Sequence, residues 1–226
     1  MLKVSDAVKE AVFNSDVALS SLADGVLNLS AYAKQIHRQI ERTTMKSVKL
    51  GTIVAALARL GQNLDRLPLR IPEVTLRDIA AKSGLCEIAF EQTLDARENL
   101  KKLYSSNFLS NKDFFTVTHG VGELAIITSE KHKAHILQSF RGQKPKMVFE
   151  KLCAVTVRFD EHYIHTPGQT FWLVRKIALR HLNIVEIVST FTELTFLLHE
   201  IDIEKAFATF TPYLRREDAN ACADKH

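Results

Sequence analysis

The stretch Thr118-His119-Gly120-Val121-Gly122-Glu123-Leu124-Ala125-Ile126-Ile127 returns in altered form as Val188-Ser189-Thr190-Phe191-Thr192-Glu193-Leu194-Thr195-Phe196-Leu197, at an offset of 70 residues and without a gap. The match continues to Phe140 over Phe210. Upstream the offset is 67, because Leu85-Cys86-Glu87-Ile88-Ala89-Phe90 lines up with Leu152-Cys153-Ala154-Val155-Thr156-Val157. The second copy therefore carries three extra residues, which fall at His165-Thr166-Pro167-Gly168. A duplicated scaffold whose copies differ by one glycine-containing loop points to that loop as the place where function was added.

Apolar periodicity reads the first copy as a strand over 85–93, a helix over 95–103, strands over 114–118 and 124–128, a helix over 130–140 and a closing strand at 146–149. The second copy repeats this with a strand over 152–159, a helix over 171–182, strands over 184–189 and 194–198 and a helix over 203–210. The βαββαβ order predicts an α+β chain with two ferredoxin-like domains, at 84–150 and 151–214, each an antiparallel sheet with two helices on one face. After Phe210 come Pro212 and a polar tail over 215–226, with no apolar fourth strand for the second copy. A sheet edge left open in this way predicts a neighbouring subunit, hence a homodimer.

Thr166-Pro167-Gly168-Gln169-Thr170, a helix, then Leu182-Asn183-Ile184-Val185-Glu186-Ile187-Val188-Ser189-Thr190 and Thr192-Glu193-Leu194-Thr195-Phe196-Leu197 resemble an ACT domain, and within that family the regulatory ACT domains of aspartate kinases. The resemblance covers residues 150–214 and extends through the repeat to 84–150. It implies a non-catalytic binding module for small ligands, usually amino acids, held where the loop after the first strand meets a neighbouring ACT domain. Thr166, Pro167, Gly168, Gln169 and Thr170, with Asn183 and Ile184 at the start of the second strand, are the ligand-binding residues it implies. It also implies dimerisation, and no cofactor or metal is expected.

The chemistry of these residues fits such a role. A glycine after Pro167 lets the backbone approach a ligand, and a loop feeding a helix N-terminus presents unpaired N–H groups to a carboxylate. Asn183 offers a donor and an acceptor, but an asparagine there also suits the left-handed position that closes a helix. Pro167-Gly168 equally suits a plain turn. The first copy has Glu91-Gln92-Thr93-Leu94-Asp95 at the corresponding place, without the proline or glycine, and is expected to be structural.

Residues 1–66 read as a basic, all-α domain and 67–83 as a linker, since Pro68 and Pro72 bias their predecessors away from helix. Residues 1–70 hold ten Lys/Arg against six Asp/Glu, while 71–226 hold twenty of each, so the chain's net charge of +4 belongs to the N-terminal segment. Asp24-Gly25 reads as a helix stop, Ser30 and Ser47 as N-caps. Between them Tyr32, Ile36 and Ile40 form an apolar stripe and leave Lys34, Arg38 and Arg42 on the other side. With Lys46 and Lys49 these form a basic face on a pair of helices that resembles a helix-turn-helix. The face is read either as a nucleic-acid surface or as a solvated helix face.

The remaining features exclude more than they assign. Apolar residues make up 46% of the chain, enough for real cores, and no run approaches the ~18 uncharged apolar residues of a membrane span. No signal peptide, a cytoplasmic location and reduced core thiols at Cys86, Cys153 and Cys222 are expected. Neither His132 with His135 nor His162 with His165 has a third ligand in reach by spacing, the latter pair falling on opposite faces of a strand. Gly120-Val121-Gly122 reads as a hairpin turn and not a phosphate loop. No Walker loop, nucleophile elbow or HExxH helix is present, nor the start of an amino-acid kinase domain. The chain thus reads as a regulator that senses an amino acid, acting on DNA or in trans on an aspartate-pathway biosynthetic enzyme.

Overall fold

The structure is a computed structural model that describes residues 2–64, 74–106, 108–110 and 113–215. Residues 65–73, which include the first part of the linker read at 67–83, Cys222 and residues 216–226 of the tail lie outside the described residues. The chain divides into two compact units, Met1–Ile71 and Pro72–His226.

The first unit is helical throughout: α1 (Val4–Phe13), α2 (Asp16–Ala23), α3 (Leu29–Thr44) and α4 (Leu50–Leu64). Ala7, Val8, Ala11, Val12, Leu22, Ile36, Ile40, Ile53 and Leu57 form its core. The anticipated stop at Asp24-Gly25 is present, with Gly25 at φ 71°. The caps differ from expectation. Asn28 and not Ser30 caps α3, accepting from the Ala31 N–H at 3.0 Å. Helix α4 begins at Leu50, three residues beyond Ser47, because the turn before it is held from α3. There the Glu41 carboxylate accepts the Val48 N–H at 2.9 Å, and His37 Nε2 lies 2.6 Å from the Val48 carbonyl. The Val48 hydrogen bond holds the Glu41 carboxyl below its ordinary value.

The second unit contains β1 (Leu76–Glu91), α5 (Leu94–Ser105), β2 (Phe115–His119), β3 (Glu123–Ser129), α6 (Lys133–Ser139), β4 (Met147–Phe159), α7 (Gln169–Ala178), β5 (Glu186–Ser189), β6 (Glu193–His199) and α8 (Ile203–Phe210). Its strands form a single antiparallel six-stranded sheet in the order β2-β3-β1-β4-β6-β5, in place of the two separate sheets that the repeat suggests.

The union arises because the two long strands serve both copies. Residues 85–91 of β1 pair with β3, and residues 147–149 of β4 lie on their other side as the closing strand of the first half. Residues 152–158 of β4 pair with β6, and residues 76–82 of β1 close the second half. The vacant edge anticipated after Phe210 is therefore filled from within the chain by residues that precede the first copy. The sequence argument for a dimer loses its premise. Residues 76–82, read from sequence as linker, are strand instead: Arg77, Asp78 and Lys82 interrupt their apolar pattern, and their partner β4 lies about 75 residues further along the chain.

Where the halves meet, both strands bulge. From the Lys82–Ala154 pair to Leu85–Leu152, β1 advances by three residues and β4 by two; from there to Glu87–Phe149 the proportions reverse. The extra residues are accommodated by Gly84 at φ 68° and by Lys151 at φ 54°, which are equivalent in the repeat. Bulges of this kind sharpen the local twist and bend the sheet. The consequence is visible across it: Thr118 on β2 donates to Glu186 on β5 at 3.2 Å although these strands lie at opposite edges of the order. The helix-free faces of the halves thus turn toward each other around Leu85, Ile127, Leu152, Ala154 and Leu197. Helices α5 and α6 cover the other face of the first half, over Ile88, Phe90, Leu124 and Ile126. Each half ends its second helix's packing with a stacked phenylalanine pair, Phe90 on Phe140 at 4.2 Å and Phe196 on Phe210 at 5.5 Å.

Lys151 holds a left-handed conformation that its glycine counterpart adopts without strain. Lys151→Gly is expected to raise unfolding stability by about 1 kcal/mol, and Gly84→Ala to lower it by about as much, both read from urea denaturation.

Candidate functional site

The connection that carries the extra residues of the second copy follows the end of β4 and begins with a turn of 3-10 helix over Glu161–His165. It closes through Tyr163 N–H to the Asp160 carbonyl at 3.1 Å and Thr166 N–H to the Tyr163 carbonyl at 2.9 Å. His162 and His165 therefore belong to a helical turn and not to a strand, and among the described residues no three His, Cys, Asp or Glu gather as a metal site. Gly168 then takes φ 88° and leads into α7. Having no side chain, it leaves the first turn of α7 without a side-chain cap.

The contrast with the first half is direct. There the short connection Gln92-Thr93 is closed by its own side chains. Thr93 Oγ1 accepts the Ala96 N–H at 3.1 Å and so caps α5. Gln143 lies across it and donates to the Glu91 carbonyl at 2.7 Å and to Thr93 Oγ1 at 3.3 Å. In the second half the matching helix start is uncapped, and the Gln169 side chain, only 8% exposed, keeps an Nε2 without a hydrogen-bond partner. A buried amide donor left unpaired costs about 1–3 kcal/mol.

Two segments remote in sequence frame this loop. The Thr75 N–H donates to the Tyr163 hydroxyl at 3.0 Å, and Arg77 forms an ion pair with Asp160. Buried Trp172, on the same helix face as Gln169, meets Tyr213 edge-on at 4.7 Å, and Lys176 Nζ stands 4.6 Å from both ring centres. Tyr213 is held because Leu214 bridges in parallel to Leu76 and the Arg215 N–H donates to the Leu76 carbonyl at 2.8 Å. Local sequence gave no sign of Thr75, Arg77, Asp160, Tyr163, Lys176 or Tyr213 as neighbours of the loop.

Thr166, Pro167, Gly168, Gln169 and Thr170 lie together at the start of α7. Asn183 and Ile184 do not join them. They precede β5, whose Glu186 pairs with Leu197, at the end of β6 where His199 pairs with Leu152. The loop lies at the other end, beyond the Arg158–Glu193 pair. A seven-residue strand and the parallel run of α7 put roughly 15–20 Å between the two sets. Asn183 is exposed, and the left-handed residue after α7 is His181 at φ 54° and not Asn183.

On the first unit Lys34, Arg38, Arg42, Lys46 and Lys49 are all exposed, the first three along one side of α3 and the others in the turn to α4. Helices α3 and α4 are 16 and 15 residues long. Cys86 and Cys153 are buried free thiols whose burial pushes both up to about 11. Among the described residues no helix is long and apolar enough to cross a membrane.

No protein-family model and no curated protein matches this sequence. Solved structures do. The regulatory subunit of aspartate kinase from Thermus thermophilus aligns with 62% of this chain and 99% of its own, at 12% identity and a TM-score of 0.52. The fold is shared with aspartate kinase regulatory regions. The corresponding subunit from Thermus flavus covers 62% of this chain and 98% of its own, at 12% identity and a TM-score of 0.50. Aspartate kinase from Clostridium acetobutylicum covers 65% of this chain but only 36% of its own, at 17% identity and a TM-score of 0.51. The chain thus spans about a third of that enzyme, and it shares its fold with the regulatory subunits over nearly their whole length.

The capping difference between the halves is measurable. Thr93→Ala is expected to cost about 1 kcal/mol in urea denaturation, as loss of an N-cap does, while Thr170→Ala, inside the uncapped turn of α7, should change stability by less than about 0.5 kcal/mol.

Proposed function

We propose that the second unit is a tandem ACT-like sensor whose second half binds an amino acid or a similar small carboxylate at residues 161–170, and that the protein is a non-catalytic regulator. The reading rests on one observation above all: the helix start that the first half closes with Thr93 and Gln143 is, in the second half, uncapped and lies beside a buried Gln169 amide with an unused donor. A carboxylate there would meet the free N–H groups and positive end of α7, with Gly168 allowing close approach and Gln169 donating to it. The likeness to aspartate kinase regulatory subunits supports the same reading.

Asn183 and Ile184 can contribute to such a site only from a second copy, because one chain holds them at the opposite end of the second half. A homodimer with ligand at its seam would use both sets, and ligand binding would then favour one packing of the copies over another.

In the proposed scheme the first unit carries the response. Its exposed Lys34, Arg38, Arg42, Lys46 and Lys49 favour an anionic partner, and duplex DNA is the reading taken first. A biosynthetic enzyme regulated in trans is the second reading, favoured by the fold that the second unit shares with regulatory subunits.

Thermal melting with each of the twenty amino acids tests the sensor. One or two should raise the melting temperature of the natural chain, by about 2.7 kcal/mol of added stability at a hundredfold excess over Kd, and Gly168→Val and Gln169→Leu should abolish the shift. If no amino acid shifts it, or if both variants keep the shift, the site is elsewhere. Fluorescence anisotropy on duplex DNA tests the first unit: replacing Lys34, Arg38 and Arg42 by alanine should reduce the salt slope by about 3. Absence of binding at low salt would direct attention to a protein partner.

A further inference from the structure

The helix-free faces that meet inside the second unit place one acid among apolar side chains. Glu87, on β1, sits in register between Ile127 of β3 and Phe149 of β4, both of which belong to this inner layer. It is 8% exposed, and its Oε2 has no hydrogen-bond partner. Its carboxyl group lies within hydrogen-bonding reach of that of Glu186 on β5, whose Oε1 accepts from Thr118 of β2 across the seam at 3.2 Å. These strands are separated in the sheet by β4 and β6, so the two carboxyl groups meet only because the sheet is bent and the seam closed.

A hydrogen bond between two carboxyl groups needs a proton on one of them, since two carboxylates offer acceptors alone. The charged groups acting on Glu87 are Glu186 from β5 and Glu123 from β3, and Glu123 is occupied by an ion pair with Lys146. From β2 the Thr118 hydroxyl donates to Glu186 and supplies no charge, and β4 presents Phe149. No cation in this set compensates Glu87. Burial first, and the Glu186 carboxyl next, push the Glu87 carboxyl up to about 8.

The repeat supplies an internal comparison. The positions equivalent to Glu87 and Glu186 are Ala154 and Thr116, so the matching place across the pseudo-symmetry closes without any acid.

We propose that Glu87 and Glu186 hold one proton between them and that this shared proton keeps the two helix-free faces together, making the seam a pH-operated latch. With the proton in place the pair bridges β1 to β5. When it leaves, two carboxylates face each other in an apolar layer, and relief comes from parting β5 and β2 from the opposite face. Because the folded Glu87 binds its proton more tightly than an unfolded glutamate, whose ordinary value is 4.5, the stabilisation is complete below that value and is lost as pH rises toward about 8.

The test is a set of thermal melts of the full chain from pH 5 to 9, with Glu87→Gln and Glu186→Gln in parallel, and amide hydrogen exchange of β2 and β5 at pH 6 and 8.5 corrected for intrinsic rates. Glutamine reproduces the protonated form. Glu87→Gln should therefore melt above the natural chain at pH 8.5 by at least about 3 °C, and close to it at pH 5. Exchange in β2 and β5 of the natural chain should rise at least tenfold between pH 6 and 8.5, and the rise should vanish in either variant. A melting profile of the same slope in all three proteins would overturn the latch, as would equal exchange at both pH values. If Glu87→Gln fails to fold, Glu186→Gln and the exchange of the natural chain still decide it.

Discussion

The second unit depends on the antiparallel pairing of β1 with β4. Each strand is too long for one half of the repeat, and each gives its surplus to the other half as the closing strand. Neither half can complete its sheet without the other, so the duplication forms one cooperative body and not two beads on a string. The bulges at Gly84 and Lys151 follow from this exchange: a strand that serves two differently oriented halves must bend where it passes between them, and a left-handed residue on each strand provides the bend. The bend brings the helix-free faces together, and the inner layer around Leu85, Leu152 and Leu197 is its result.

The same exchange shapes the surroundings of the added loop. Because residues 76–82 close the second half, the chain entering from the linker passes beside the end of β4, where Thr75 and Arg77 engage Tyr163 and Asp160. The residues after α8 return to the same place, with Leu214 bridged to Leu76 and Tyr213 against Trp172. The loop that distinguishes the second copy is thus braced by both ends of the unit. In the first half, Thr93 caps the equivalent helix start and Gln143 donates to the Glu91 carbonyl.

Much of this was legible in advance because it is local. The strands and helices at 85–210 follow from apolar periodicity and appear within a few residues of their anticipated places, and Gly168 marked a turn that needs φ > 0. The residues least legible were those whose role depends on a distant partner. Glu87 looks like any polar residue of a half-exposed strand, and only the bend that brings Glu186 over it makes it buried. Asn183 and Gly168 lie 15 residues apart in a familiar pattern, but α7 carries the chain the length of the sheet between them.

By itself the sequence determined the duplication, the order of elements in each copy, the loop in which the copies differ and the concentration of positive charge in the first unit. These are properties of short windows, set by side-chain period, glycine and proline geometry and charge. Tertiary structure alone decided that the two copies share a sheet, which residues close each half, that the helix-free faces meet, and which candidate residues lie together. Strand partners are chosen by hydrogen bonding between segments far apart in the chain, and no local pattern names the partner.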